Sequence, residues 1–183
     1  PRNLPVVLTQ NEIKKLIDCI DNKKHRLMIE TMYSAGMRVS ELINLKIKDL
    51  ELEENQGWIR AGKGNKDRPF VIANKIKERI QELIEKESLK ENDFLFRSNR
   101  MGKYSAKSIQ EVVKKARKKA KINKSVSPHT LRHSFATHLI ENGYSVSEVQ
   151  GLLGHSSLDT TMIYVHLARP KLLNIKSPLD ELE

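Results

Sequence analysis

A chain of 183 residues fits one domain and buries about 70% of the surface its unfolded form exposes. Lys and Arg total 33 against 23 Asp and Glu, and the formal charge of +10 favours a polyanionic partner, nucleic acid above all. The single cysteine, Cys19, excludes an intrachain disulfide and suits a reducing, cytoplasmic setting, and no apolar run approaches the roughly 18 residues of a membrane span.

Thr9-Gln-Asn-Glu12 is a capping box, and Ile13, Leu16, Ile17 and Ile20 follow at helical spacing. A second helix is expected from Lys23 to Ser34, with Leu27, Met28 and Met32 inward. Gly36 interrupts the pattern, and Met37 to Leu42 opens a short helix ending near Leu45. Arg38 stands beside that break, near the positive end of a helix, as a phosphate ligand or as the partner of Glu41.

The pattern then changes. Leu50 to Leu52, Trp58 to Arg60 and Phe70 to Ile72 read as three short strands, with Gly64-Asn65 as a hairpin turn signal. Lys63 stands just before that turn, where a long cationic side chain reaches outward. Gly-Lys-Gly invites comparison with a phosphate loop, but GxxxxGK[ST] is absent and no helix follows, so no nucleotide site is expected.

Lys75 to Lys86 is an amphipathic helix, and Phe94-Leu-Phe96 a short buried piece. Ser105 to Lys121 forms another helix whose end runs into KKARKKAKINK, in which seven of 11 residues are basic, on all faces. Such a run is either a solvated face or a grip on a nucleic-acid backbone that carries no sequence information. Ser127 caps the next helix, with Pro128 at its first position, Leu131, Phe135 and Leu139 as a buried stripe, and Gly143 as its stop. His129 and Arg132 fall on its first turns. Ser145-Val-Ser-Glu148 opens a further helix that Gly154 ends, His155 falls in the turn, and a last helix carries Tyr164. The tail from Arg169 to Glu183, with Pro170 and Pro178, is a docking arm or a frayed end.

Attack on a phosphodiester needs a nucleophile, cations for the non-bridging oxygens and a proton for the departing oxygen. Arginine forks pair bidentately with phosphate. A tyrosine, with a free pKa of about 10, needs a base or a strong positive field, and a lysine becomes a useful acid beside other cations. Arg38, Lys63, His129, Arg132, His155 and Tyr164 supply these parts. His129 and His133 have a zinc-capable spacing, but Thr130 stands where HExxH has its Glu and no paired carboxylates lie close, so no metal site is expected. His133, His138 and His166 are expected to be packing or surface residues.

These motifs together resemble the catalytic domain of tyrosine recombinases, the integrase and Xer-type site-specific recombinases. The matching pieces are Gly36-Met-Arg38-Val-Ser-Glu41-Leu, Gly62-Lys63-Gly-Asn-Lys-Asp-Arg-Pro, His129-Thr-Leu-Arg132-His-Ser-Phe-Ala-Thr-His138, Leu153-Gly-His155-Ser-Ser and Thr161-Met-Ile-Tyr164-Val-His166. The resemblance implies an α+β, mainly helical fold: a helical bundle with a small three-stranded antiparallel sheet, spanning residues 1–183 as one catalytic domain. Arg38 and Arg132 would hold the scissile phosphate with His129 and His155, His129 also serving as base. Lys63 would protonate the departing 5′-hydroxyl, and Tyr164 would become a 3′-phosphotyrosyl link, with neither cofactor, metal nor ATP. Glu41 would support Arg38. Lys66, Arg68, Lys114, Lys115, Arg117, Lys118, Lys119 and Lys121 are assigned to double-stranded DNA. The family's N-terminal DNA-clamping domain is not recognised in a chain that opens on Pro1, so the catalytic half of a longer protein or a naturally short member is expected. The tail from residue 169 would pack onto a neighbouring subunit in a DNA-bound tetramer or fold back on its own domain. Two rivals are a type IB topoisomerase, similar in site and fold, and a non-catalytic DNA-binding module.

Overall fold

Helices form here where capping chemistry and apolar spacing agree. In the computed structural model, which describes residues 4–60, 67–100, 102–154 and 178–182, the Thr9–Glu12 capping box opens α1, Gln10–Asp18. Asn22 accepts from the Lys24 and His25 N–H groups at the head of α2, Lys23–Ala35. Gly36 ends α2 at φ +67°, in the left-handed region open to glycine, and a Cβ there would overlap the Phe135 ring. The short α3, Val39–Ile43, stops before Leu45, and Met37 and Arg38 precede it rather than belonging to it.

The sheet comprises β1, Leu50–Glu51, β2, Gln56–Ile59, and β3, Arg68–Val71, in antiparallel order β1-β2-β3. β2 and β3 both begin two residues earlier than expected, and Trp58 lies opposite Pro69 and Ile59 opposite Arg68. The expected turn at Gly64-Asn65 lies outside the described residues. Lys46 bridges Phe94, which brings the Phe94–Phe96 piece against the segment following α3.

α4, Asn74–Lys86, and α5, Ala106–Lys119, follow, the latter capped by Ser105 and ended before Lys121, which sits at φ +56°. α6, Pro128–Glu141, is the central element: Leu131, Arg132, Ser134, Ala136, Thr137 and His138 are all buried, so its apolar stripe is only part of its hidden surface. α7, Val146–Leu153, has its capping box at Ser145 and Glu148 and ends at Gly154 with φ +69°.

The main core unites Leu16, Met28, Ile29, Met32, Leu42, Leu95, Phe96, Ile109 and Leu131. Each such side chain contributes on the order of 1.5–3 kcal/mol by leaving water. A smaller cluster of Ala136, Val149 and Leu153, flanked by Phe135 and Leu139, fastens α7 to α6. The backbone before α1 is tied to α6 by polar groups: Ser134 Oγ accepts from the Leu8 N–H at 3.0 Å, and His138 Nε2 lies 2.9 Å from the Leu8 carbonyl. A carbonyl only accepts, so His138 carries a proton on Nε2, while its Nδ1 hydrogen-bonds the Tyr33 hydroxyl at 2.7 Å. Burial and the nearby Glu141 charge push Tyr33 up to about 12, keeping its hydroxyl neutral.

Candidate active site

Of the six residues expected at a reaction centre, Arg38, His129 and Arg132 are described; Lys63, His155 and Tyr164 lie outside the described residues, as does Lys66.

The described part is organised around Glu41. Its carboxylate accepts a bidentate pair from Arg68, at 2.6 and 2.8 Å. The same carboxylate accepts from the Arg38 backbone N–H at 2.8 Å, which sets the start of α3. Arg38 Nη1 stands 3.6 Å and Arg132 Nη1 3.8 Å from its oxygens. Residues 94 positions apart in sequence, Arg38 and Arg132, thus meet at one side chain.

The balance of charge follows. Three guanidiniums surround one carboxylate that is only 11% exposed. Burial pushes the Glu41 carboxyl up, but the Arg68 and Arg38 hydrogen bonds and the Arg68 and Arg132 charges outweigh it and hold the group below its ordinary 4.5. Glu41 is therefore ionised at neutral pH, and the trio keeps a positive surplus, which attracts an anion.

Arg132 is 4% exposed, and its fork is anchored on the Gly36 carbonyl at 2.5 Å and the Leu153 carbonyl at 2.6 Å. Arg68 donates to the neighbouring Leu152 carbonyl at 3.1 Å. Two cations therefore cap the last turn of α7, where the helix dipole is negative and carbonyls lack helical partners. The end of α7 is thereby fixed to α3, α6 and the residue that closes α2. Arg38 differs: its side chain is 45% exposed.

His129 is exposed on the first turn of α6, and its ring stacks on that of His133 at 6.3 Å between centroids. Burial, then the charges of His129 and Arg132, lower the His133 pKa and favour its neutral form. Among the described residues no three His, Cys, Asp or Glu side chains converge as ligands would.

The residues assigned to DNA divide into two groups. Lys114, Lys115, Lys118 and Lys121 are exposed, as is Lys119, which pairs with Asp21 at 2.7 Å. Because Ile109, Val113 and Ala116 face the core, the lysines of α5 occupy its outer faces rather than all faces. Arg68 and Arg117 turn inward. Arg68 holds Glu41 and α7, and Arg117 donates to the carbonyls of Ile122 and Lys124 at 2.9 and 3.1 Å, closing the end of α5. Sequence spacing gives no sign of either role, because Arg68 reaches across to α3 and α7, and Arg117 depends on the chain reversing at Lys121.

The model of the phage integrase family matches residues 6–170. The tyrosine recombinase XerA of Pyrococcus horikoshii is 44% identical over 168 residues, covering 90% of this chain and 58% of that protein. The tyrosine recombinase XerC of Escherichia coli O157:H7 is 40% identical over 173 residues, covering 91% and 58%. The chain therefore spans 58% of the length of each. Among solved structures, XerA recombinase matches with TM-score 0.81 at 38% identity, covering 91% of this chain and 62% of that one. XerH recombinase bound to its palindromic difH substrate, a post-cleavage complex, matches with TM-score 0.81 at 32% identity, covering 93% and 52%.

Proposed function

The chain belongs to the phage integrase family, and from that premise we propose that it is the catalytic part of a site-specific DNA recombinase. Duplex DNA is the substrate. Arg38 and Arg132 neutralise the non-bridging oxygens of the scissile phosphate, assisted by His129 and His155. Tyr164 attacks phosphorus: its phenolic oxygen gains the P–O bond while its proton passes to His129. The bond to the 5′-oxygen breaks, and Lys63 supplies the proton that leaves a 5′-hydroxyl. The product is a 3′-phosphotyrosyl link of nearly unchanged bond energy, so a second 5′-hydroxyl reverses the step without ATP.

One observation supports this reading above the others. A single, largely buried carboxylate, 11% exposed, gathers three arginines, including the two assigned to the phosphate. Preorganised cations of this kind act on charge that develops in the transition state. Five exposed lysines on α5 and just beyond it add a sequence-independent grip, and the tail from residue 169 docks on a neighbouring copy in a DNA-bound tetramer.

The test is covalent capture. The protein is incubated with short duplexes carrying a nick within a randomised segment, and the products are run under denaturing conditions. A protein–DNA adduct that persists in EDTA and disappears in Tyr164→Phe is the expected result. An adduct that survives the substitution, or no adduct at all, contradicts the proposal. Joining of two captured sites, rather than relaxation of a plasmid lacking one, separates a recombinase from a topoisomerase.

A further inference from the structure

The last ladder pair of β2 and β3 joins Ile59 to Arg68. Arg60 and Asp67 come next, and the six residues between them include Lys63. Hydrogen-bonded and open pairs alternate along an antiparallel ladder. The Ile72 N–H donates to the Asn55 carbonyl at 2.8 Å, so the bonded pairs are Asn55 with Ile72, Gly57 with Phe70 and Ile59 with Arg68. Arg60 and Asp67 form the next, open pair, whose backbone groups face away from each other. Backbone pairing therefore stops where the Lys63 segment begins. A side-chain contact closes the ladder instead: Arg60 Nη1 donates to Asp67 Oδ2 at 2.9 Å.

Arg60 is held on two further sides. Its Nε donates at 3.0 Å to Oδ1 of Asp49, whose side chain is 6% exposed and whose Oδ2 accepts from the Lys46 N–H at 3.2 Å. Its guanidinium lies 5.8 Å from the centre of the Trp58 ring, and the Trp58 Nε1–H donates at 2.8 Å to Glu51 on β1. A guanidinium presents donors on separate edges, so one side chain spans a buried carboxylate before β1 and an exposed one across the hairpin. By formal charge one cation faces two carboxylates, the reverse of the balance around Glu41, and this disfavours a phosphate at Arg60.

We infer that Arg60 is a positioning residue for Lys63. By closing the base of the hairpin and rooting it on Asp49 and Trp58, it sets where the lysine gives its proton to the departing 5′-oxygen. The inference rests on the recombinase reading, and it adds a role for a residue whose charge is taken up by carboxylates. An exposed ion pair contributes little stability. A displacement of about 1 Å in a reacting group nevertheless costs on the order of 10²-fold in rate, so a brace of small energetic worth has a large kinetic effect.

The experiment separates proton delivery from the other steps. Two duplexes carrying a site recovered by covalent capture are compared, one natural and one with sulfur replacing the 5′-oxygen at the cleaved bond. A thiol such as that of cysteine ionises at about 8.5, so the sulfur departs as a thiolate and needs no proton. Arg60→Met should slow adduct formation on the natural duplex roughly 10²-fold and should match the unsubstituted protein on the sulfur duplex. Lys63→Met should show the same recovery, and the double variant should be no slower than Lys63→Met alone. Asp67→Asn alters an exposed carboxylate and leaves the Asp49 contact in place, so it should give a smaller loss with full recovery on sulfur. The salt slope of duplex binding should be unchanged in Arg60→Met. Losses in both variants that persist on the sulfur duplex, no loss on the natural one, or a slope lowered by about 0.9, as for a phosphate ligand, overturn this inference alone. Absence of any adduct from the unsubstituted protein defeats the recombinase reading beneath it.

Discussion

Arg38 and Arg132 share a carboxylate but have different neighbours, and substitution should separate them. Arg132 joins the Gly36 and Leu153 carbonyls as well as lying near Glu41, so Arg132→Lys should lower both thermal stability and adduct yield. Among the described residues Arg38 anchors no carbonyl through its side chain, which is 45% exposed. Arg38→Lys should therefore reduce adduct formation roughly 10²-fold while leaving unfolding free energy within about 0.5 kcal/mol. Quantified denaturing gels and urea melts check both, and equal stability losses in the two variants would count against the distinction. Glu41→Gln leaves three guanidiniums without their counter-charge and should cost about 3 kcal/mol, or roughly 6–12 °C in melting temperature. The sign of its pH dependence is set by the lowered pKa. The stabilisation is fully present above the ordinary 4.5 and is lost as pH falls through the lower folded value. The melting difference between the protein and Glu41→Gln should therefore shrink on acidification, and a gap that stays constant or widens would show that the carboxylate charge is not responsible.

At the scale of elements, α6 carries the site on one side and receives the chain before α1 on the other. Gly36 provides the turn that brings its own carbonyl to Arg132, so Gly36→Ala should cost at least about 1–2 kcal/mol from the left-handed backbone alone, with the Phe135 overlap adding to it. A melt within experimental error of the original would refute that role. The caps at Thr9 and Ser145 were legible because capping is a local contract among residues three apart. The same locality explains what was hidden. α3 looked longer because apolar spacing continues to Leu45, whereas the chain leaves the helix so that the Leu45 carbonyl can pair with the Leu95 N–H. β3 starts at Arg68 because strand pairing with Ile59 extends the ladder beyond its apolar residues. The burial of Ser134 and His138 against the Leu8 backbone involves positions more than 120 apart, and no periodicity reports such a bond.

For the whole molecule, the surplus of ten positive charges is distributed unevenly. Arg68 and Arg117 serve the fold, whereas Lys114, Lys115 and Lys118 stand in solvent on α5. Replacing those three lysines with glutamine should weaken binding equally on unrelated duplexes and reduce the salt slope by about 0.9 for each phosphate released. Loss confined to one sequence would mean that the helix reads bases instead of gripping the backbone. The account as a whole depends on Tyr164 joining the charged cluster that Glu41 assembles. Mass spectrometry of the protease- and nuclease-digested covalent adduct tests this most directly. It should find the nucleotide remnant on the peptide containing Tyr164 and on no other, whereas a remnant on a histidine, a serine or a different tyrosine would contradict the account.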